Sequence, residues 1–326
     1  MAAVRSQLNR SRIRWAWLFL APMLVALFLV AFYPLAMTFF YSLFDVRTSD
    51  LQLADPQTGE SYFFGLRNYW RILFDTSYPE FFSLSWWRTS AWWQADWWGA
   101  LKNTFIFAIG SVSLELVFGM IVALILNVNF KGRGWMRAAI LVPWALPTVV
   151  SAKMWSWILD TENGIMNDLL TKLHIIKDNI NWIGNDFWSM VAIIGVDAWK
   201  TTPFMALLIL AALQTVPESM YEAARVDGVS KWNQFWYLTL PVIKPAVIVA
   251  LIFRTLDALR VFDLIYVLTA NSRSTMSVSV LARKTLMEDQ YFGRGSAASV
   301  LIFILVGVIA IIYLKLGRVK LTEGGK

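Results

Sequence analysis

The chain contains no cysteine and a single histidine, His174. Without cysteine it has no disulfide, no thiol nucleophile and no cysteine-based metal site. A lone histidine in a polar loop, with no second histidine or cysteine to join it, makes a poor metal site. We therefore predict that the protein binds no metal.

Motifs that bind nucleotides or carry out hydrolysis are also missing. No G-x-x-x-x-G-K-[ST] segment occurs, so the chain cannot hold ATP in a P-loop of its own. Neither G-x-S-x-G nor H-E-x-x-H is present. We predict that the protein is not an enzyme, has no catalytic residues and needs no cofactor.

Charged residues are scarce, at 16% of the chain, where a soluble domain has about 25%. Hydrophobic residues make up 58%, and the mean hydropathy is +0.54. These values predict an all-α integral membrane protein. A helix needs about 20 apolar residues to cross a bilayer. Six segments are long enough, near 15–44, 102–127, 138–159, 187–213, 241–266 and 297–316.

The net charge of +7 is concentrated in alternate loops. The N-terminus, the loops 128–137 and 214–244, and the segment after Tyr313 together carry fourteen Lys and Arg residues against four Asp and Glu. Loops rich in Lys and Arg stay on the cytoplasmic side. We therefore predict that both termini and the 214–244 loop are cytoplasmic. Since the charge follows from topology, no nucleic acid partner is expected.

The second of these loops has signals for two short helices. Pro217 suits the first turn of a helix over 217–227, and Gly228 supplies a stop. Ser230 can cap a second short helix that carries aromatic residues. Two short helices joined at a glycine form a compact knob that suits docking into a groove of a partner. The alternative is an amphipathic loop that lies on the membrane surface.

Residues 222–241, EAARVDGVSKWNQFWYLTLP, resemble the EAA loop of permease subunits of binding-protein-dependent ABC importers. The resemblance implies a type I importer permease fold with six transmembrane helices and cytoplasmic coupling helices that dock into the ATPase. It also implies which residues form the coupling site. These are Glu222, Ala223, Ala224, Asp227, Gly228, Leu240 and Pro241.

Three further segments, GLRNY (65–69), WKTTPFM (199–205) and FRTLDALRVFDLIYVLT (253–269), are similar to the first permease subunit of maltose- and trehalose-type importers. The resemblance implies a bacterial inner-membrane assembly with a second permease subunit, two ATP-binding cassette subunits and an extracytoplasmic sugar-binding protein. The substrate would be a sugar, such as trehalose or maltose. An ion-coupled secondary carrier is the alternative function.

The organisation expected on this basis has three parts. Residues 1–100 would hold the N-terminal tail, the first span and an extracytoplasmic loop. Residues 101–316 would form a permease core of five spans, and residues 317–326 a cytoplasmic tail. Besides protein and sugar, the expected partner is membrane lipid.

Ionisable residues inside the predicted spans indicate functional sites by default, because charge in a membrane is costly. Asp197 and Lys200 are spaced to meet on one helix face. Arg254, Asp257, Arg260 and Asp263 repeat every three residues and predict a ladder along the fifth span. These charges either brace helices or line a sugar path, in which Pro203 could kink the fourth span. The candidate path residues are Asp197, Trp199, Lys200, Thr201, Arg254, Asp257 and Arg260.

Overall fold

The structure is a computed structural model that describes residues 2–49, 51–54, 61–74 and 96–316. The predicted tail 317–326, and the parts of the predicted 1–100 segment in the gaps between these ranges, lie outside the described residues.

Helices account for the regular structure of these ranges. Three helices continue directly into a π-helical turn. The turns at Phe28–Phe32 and Phe235–Thr239 each lead into a further α-helix, and the turn at Lys284–Glu288 leads into a loop. The α-helices are α1 (Ala2–Leu27), α2 (Tyr33–Tyr41), α3 (Arg67–Phe74), α4 (Asp96–Asn127), α5 (Arg133–Ala145), α6 (Thr148–Ile158), α7 (Ile165–Lys172), α8 (Asp186–Leu213), α9 (Glu218–Val226), α10 (Lys231–Gln234), α11 (Leu240–Ala258), α12 (Asp263–Thr269), α13 (Val278–Arg283) and α14 (Phe292–Leu316).

Among the described residues, five helical stretches are long and apolar enough to cross a membrane. The helices α5 and α6 together make a sixth if this bent pair is counted as one span. With that count, the described spans correspond to the six predicted segments. The five stretches are Trp15–Tyr41, Asp96–Asn127, Asp186–Leu213, Lys231–Ala258 and Phe292–Lys315.

The third predicted span, 138–159, is not one straight helix. It is divided into α5 and α6, which meet at an angle of 90°. Leu146 between them is extended, with φ −71° and ψ 138°. The residue that precedes a proline is pushed out of the helical region by the proline ring. Pro147 therefore explains the break.

The fifth predicted span, 241–266, differs at both ends. It starts earlier, because α10 continues through a π-helical turn into α11. It also ends earlier, at Ala258, and α12 begins separately at Asp263. The predicted ladder of four charges on one helix is therefore wrong: only Arg254 and Asp257 lie on α11, and Arg260 lies in the following turn.

The chain divides into two compact units. The first comprises Met1–Ile72 and Thr285–Leu301. In this unit Asn68 is fully buried, and its Nδ2 donates to the carbonyl oxygens of Ser42 at 2.9 Å and Phe44 at 2.8 Å. Gly293 lies so close to the backbone of Phe44 that a Cβ atom on Gly293 would be only 1.9 Å from the Phe44 carbonyl oxygen. The glycine is required because no side chain fits.

The second unit comprises Leu73–Lys284 and Ile302–Lys326. Its centre is α8, which packs against α4, α5 and α11. At one end of these helices, buried apolar side chains from α4, α8 and α11 form a common core, including Leu126, Ile209 and Ile243. This core lies beside the segment that joins α8 to α11. The packing therefore fixes the position of the predicted coupling loop.

Candidate functional site

The segment between α8 and α11 contains the predicted first short helix. It runs from Glu218 to Val226, and Pro217 precedes it as an extended N-cap residue. Gly228 has φ +74°, the left-handed conformation that terminates helices and favours glycine. The predicted helix and its glycine stop are confirmed.

The start of the second helix is also confirmed, but its length is not as predicted. The Ser230 side chain accepts a hydrogen bond from the Asn233 backbone N–H at 3.3 Å, as an N-cap residue should. The helix then runs into the fifth span without a second break. The knob is therefore one short helix and the exposed start of a long one.

Side-chain contacts hold the short helix against the start of α11. Tyr221 Oη and Thr239 Oγ1 are 2.8 Å apart. Gln234 Nε2 donates to the Val229 carbonyl oxygen at 2.7 Å. The Tyr221–Thr239 contact crosses the turn at Gly228 and joins α9 to the start of the fifth span, while the Gln234 bond closes the turn that follows Gly228.

The predicted coupling residues differ in how far they are exposed to solvent. Ala224 lies on the buried side of α9, and Leu240 is half-buried. The exposed residues of the set are Glu222, Ala223, Asp227, Gly228 and Pro241. Sequence reasoning missed Val226, which is 88% exposed on α9. Its signal was a β-branched apolar residue at the end of the helix, directly before the polar turn at Asp227 and Gly228.

Three of the predicted path residues, Asp197, Thr201 and Arg254, meet at a buried charge network that joins three helices. Arg254 on α11 donates from Nε to Glu115 Oε2 at 2.5 Å and from Nη2 to Glu115 Oε1 at 2.8 Å. Its Nη2 also contacts the carboxylate of Asp197 on α8. All three residues are less than 10% exposed. A buried charge is tolerated only when paired and hydrogen-bonded, and here both conditions are met.

Two hydroxyl groups complete the network. Ser111 Oγ is 2.6 Å from Glu115 Oε1 and also contacts the Asp197 carboxylate. Thr201 Oγ1 is 2.6 Å from the same Glu115 oxygen. Sequence reasoning placed Glu115 within a span without assigning it a role, and it did not single out Ser111. Nothing in local spacing connects these residues of α4 with Arg254.

The predicted pairing of Asp197 with Lys200 is wrong. Asp197 pairs with Arg254 instead, and no ion pair of the described residues includes Lys200. Asp257 does lie between two bases, 3.3 Å from Arg254 and 3.5 Å from Arg260. The Asp257 and Arg260 side chains are 60% and 68% exposed, so these two predicted path residues lie at a surface of the protein.

Trp199 lies apart from the network. Its ring meets that of Trp155 edge to face at 5.4 Å. It also lines a small apolar cavity of about 410 Å³, together with Thr202 and Pro203. The helix α8 continues through Pro203 as one element.

The described residues thus define a multi-span membrane protein with a rigid, exposed helix–glycine–helix loop and charge buried among its spans. Residues 115–318 match the family described as "Binding-protein-dependent transport system inner membrane component". The chain belongs to this family, and it is a multi-pass inner-membrane component of a transport system.

Curated relatives agree with this assignment. The chain is 41% identical over 317 residues to the trehalose/maltose transport system permease protein MalF of Thermococcus litoralis, and the match covers 97% of each chain. It is 38% identical to the trehalose transport system permease protein SugA of Mycobacterium tuberculosis, over 93% of this chain and 88% of SugA. A bacterial ABC transporter that imports alginate shares its fold, with a TM-score of 0.76, 19% identity, and coverage of 98% and 100% of the two chains.

Proposed function

We propose that the chain is the permease subunit of an ATP-driven ABC importer for a disaccharide such as trehalose or maltose. The observation that carries this proposal is the 41% identity to a trehalose/maltose permease over 97% of both chains. At that coverage, the match extends over the loop and all the spans. The protein carries out no covalent chemistry: it supplies part of a gated path.

The ATPase would dock on the loop between α8 and α11. Glu222, Val226 and Asp227 present an exposed surface with an apolar anchor and two acids. The contact between Tyr221 Oη and Thr239 Oγ1 ties this helix to the start of α11. Closure of the ATPase dimer would therefore move the fifth span together with the loop. We infer the residues of the coupling site to be those named from the sequence, with Val226 added.

The orientation that fits this role places both termini and the loop in the cytoplasm, as the distribution of Lys and Arg predicts. The assembly would contain a second permease subunit and two ATP-binding cassette subunits. An extracytoplasmic sugar-binding protein would deliver the sugar. Membrane lipid would surround the spans.

The candidate path residues would have two roles. Asp197, Thr201 and Arg254 satisfy one another inside the protein, so we infer that they brace α4, α8 and α11. Asp257 and Arg260 are exposed, and charges in a membrane protein face a cavity or a partner rather than lipid. We place these two on the sugar path. Lys200 is buried and forms no ion pair with the residues that the structure describes, and Trp199 offers an aromatic face to a sugar.

The test is stimulation of ATP hydrolysis by the sugar-loaded binding protein in the reconstituted assembly. Trehalose and maltose should stimulate more than lactose or a monosaccharide. Asp257→Asn and Arg260→Gln should change the preference among disaccharides, while Lys177→Gln, an exposed cation of a loop, should not. Equal stimulation by every sugar would contradict the assignment of the substrate.

A further inference from the structure

A large apolar groove separates the coupling loop from the end of α4. Its volume is about 1220 Å³, and both its walls belong to the second compact unit. One wall is the last part of α4, from Leu116 to Asn127, together with Val128 directly after it. The other is formed by α9, the turn at Gly228 and the aromatic start of the fifth span. We call this space the loop groove.

The α4 wall of the loop groove is apolar and faces outward. Val117 and Ile121 are 55% and 49% exposed, and Met120 and Leu124 lie beside them. From Leu116 to its last residue, Asn127, the helix rises about 17 Å, at 1.5 Å per residue. One leaflet of the hydrocarbon core is about 15 Å deep, half of the full thickness. This wall therefore has the length and character that an acyl chain requires.

The lining of the loop groove also includes two cations. Arg225 and Lys231 are its charged lining residues, and both are exposed. Arg225 Nε donates to the Tyr221 carbonyl oxygen at 3.3 Å, which holds the guanidinium in place. The other donors of Arg225 and the Lys231 ammonium group form no hydrogen bond or ion pair with the described residues. They are available to an anion.

The acids of the loop do not line this groove. Tyr221 and Arg225 are four residues apart on α9, which places them on the same face, toward the groove. Glu218 and Glu222 are also four apart, and neither they nor Asp227 lines it. The short helix therefore presents its positive side to the groove and its negative side elsewhere.

Aromatic side chains also line the loop groove, and Trp232 directly follows Lys231 in the chain. Trp232 and Trp236 line the loop groove and meet edge to face, with ring centroids 5.8 Å apart. Tryptophan collects at the membrane–water boundary, where the ring lies at the level of the lipid headgroups. The loop groove thus combines three kinds of side chain that suit a phospholipid: apolar residues for an acyl chain, tryptophan for the headgroup level, and cations for a phosphate.

We propose that the loop groove binds one anionic phospholipid, such as phosphatidylglycerol, with an acyl chain along α4 and its phosphate between Arg225 and Lys231. A membrane cation near an anionic lipid surface contributes about 1 kcal/mol. A lipid held there contacts α4, α9 and the start of α11. It stabilises the loop where an ATPase would dock, so lipid composition regulates coupling. The binding site itself does not depend on the identity of the sugar.

The test measures lipid binding to the full-length chain purified in detergent, by native mass spectrometry at increasing phosphatidylglycerol concentration. The double variant R225Q/K231Q should bind about thirty-fold more weakly, from two cations at about 1 kcal/mol each. The matched control K131Q/K244Q removes two exposed cations outside the groove and should change the affinity less than three-fold. R225K/K231R keeps the charge, so it should retain binding and report on folding.

Equal weakening in the two Gln variants, or equal affinity for phosphatidylcholine, would overturn the proposal. The occupant is identified by a photo-crosslinking phenylalanine derivative at Ile121 in intact membranes. We expect an adduct with the mass of a phospholipid. An adduct with a polypeptide would instead assign the groove to a subunit interface and overturn the lipid site.

Discussion

Arg254 Nε and Glu115 Oε2 are 2.5 Å apart although 139 residues separate them in the chain. The same guanidinium contacts Asp197, so one buried base serves two buried acids on two other helices. These two ion pairs connect α11 to α4 and to α8. We expect such a brace to make the three helices move as one body.

Removal of the arginine should destabilise the protein strongly. Arg254→Gln leaves two buried carboxylates without their base, and breaking a buried pair on one side costs about 3–5 kcal/mol. We expect a large fall in the unfolding temperature in detergent, or failure to accumulate. Asp257→Asn is the control: its side chain is 60% exposed, and an exposed pair contributes about 0–1 kcal/mol. Equal stability of the two variants would contradict the brace.

Exchange of the neighbouring charges should not rescue the arginine variant. Arg254→Asp with Asp257→Arg keeps one acid and one base on α11. It nevertheless places a third carboxylate beside Glu115 and Asp197, because both remain buried at that position. We expect the double variant to be as unstable as Arg254→Asp alone. Recovery of wild-type stability, measured by thermal unfolding, would show that Asp257 is the main partner of Arg254.

Replacement of Gly228 should act through backbone strain and not through steric clash with neighbouring atoms. A Cβ there would meet no atom within 4 Å, so space is available. At φ +74°, however, a residue with a side chain pays about 1–2 kcal/mol, and asparagine less. Gly228→Leu should lower ATPase-coupled transport while the chain still inserts, and Gly228→Asn should lower it less. The measurements are transport and the amount of ATPase that copurifies with the chain. Equal values for Gly228→Leu and the wild type would contradict a role of this loop in coupling.

Much of this loop could be predicted from sequence, because its signals are local. Gly228 and Ser230 act on their immediate neighbours, and the structure places a left-handed turn and a helix cap there. The break at Pro147 also had a local cause, although the hydropathy pattern concealed it. The end of α11 at Ala258 has no comparable marker, and apolar residues continue past it.

The buried network could not be predicted in the same way. The spacing of Asp197 and Lys200 favoured a pair on one helix, but the stronger partner came from another helix. Glu115 is an isolated acid in an apolar segment, which marks it as important without naming its partner. Tertiary packing decides which charges meet, and a single sequence does not encode that packing in its spacing.

The side of the membrane on which the loop lies can be tested directly, because the chain has no cysteine of its own. Cysteines at Glu222 and Val226, which are exposed on α9, should react with an impermeant maleimide only from the cytoplasmic side. A cysteine at Asp178, exposed in the loop before α8, should react only from outside. The reverse pattern would contradict the proposed orientation and with it the docking of an ATPase.

The proposed function is tested most directly by sugar uptake into proteoliposomes. The complete assembly, with binding protein and ATP, should accumulate labelled trehalose or maltose, and uptake should stop when ATP or the ATPase subunits are omitted. Val226→Asp, which places a charge at the exposed anchor of α9, should reduce uptake without loss of the chain from the membrane. Uptake by this chain alone, driven by a proton or sodium gradient without ATP, would contradict the proposal and establish an ion-coupled carrier.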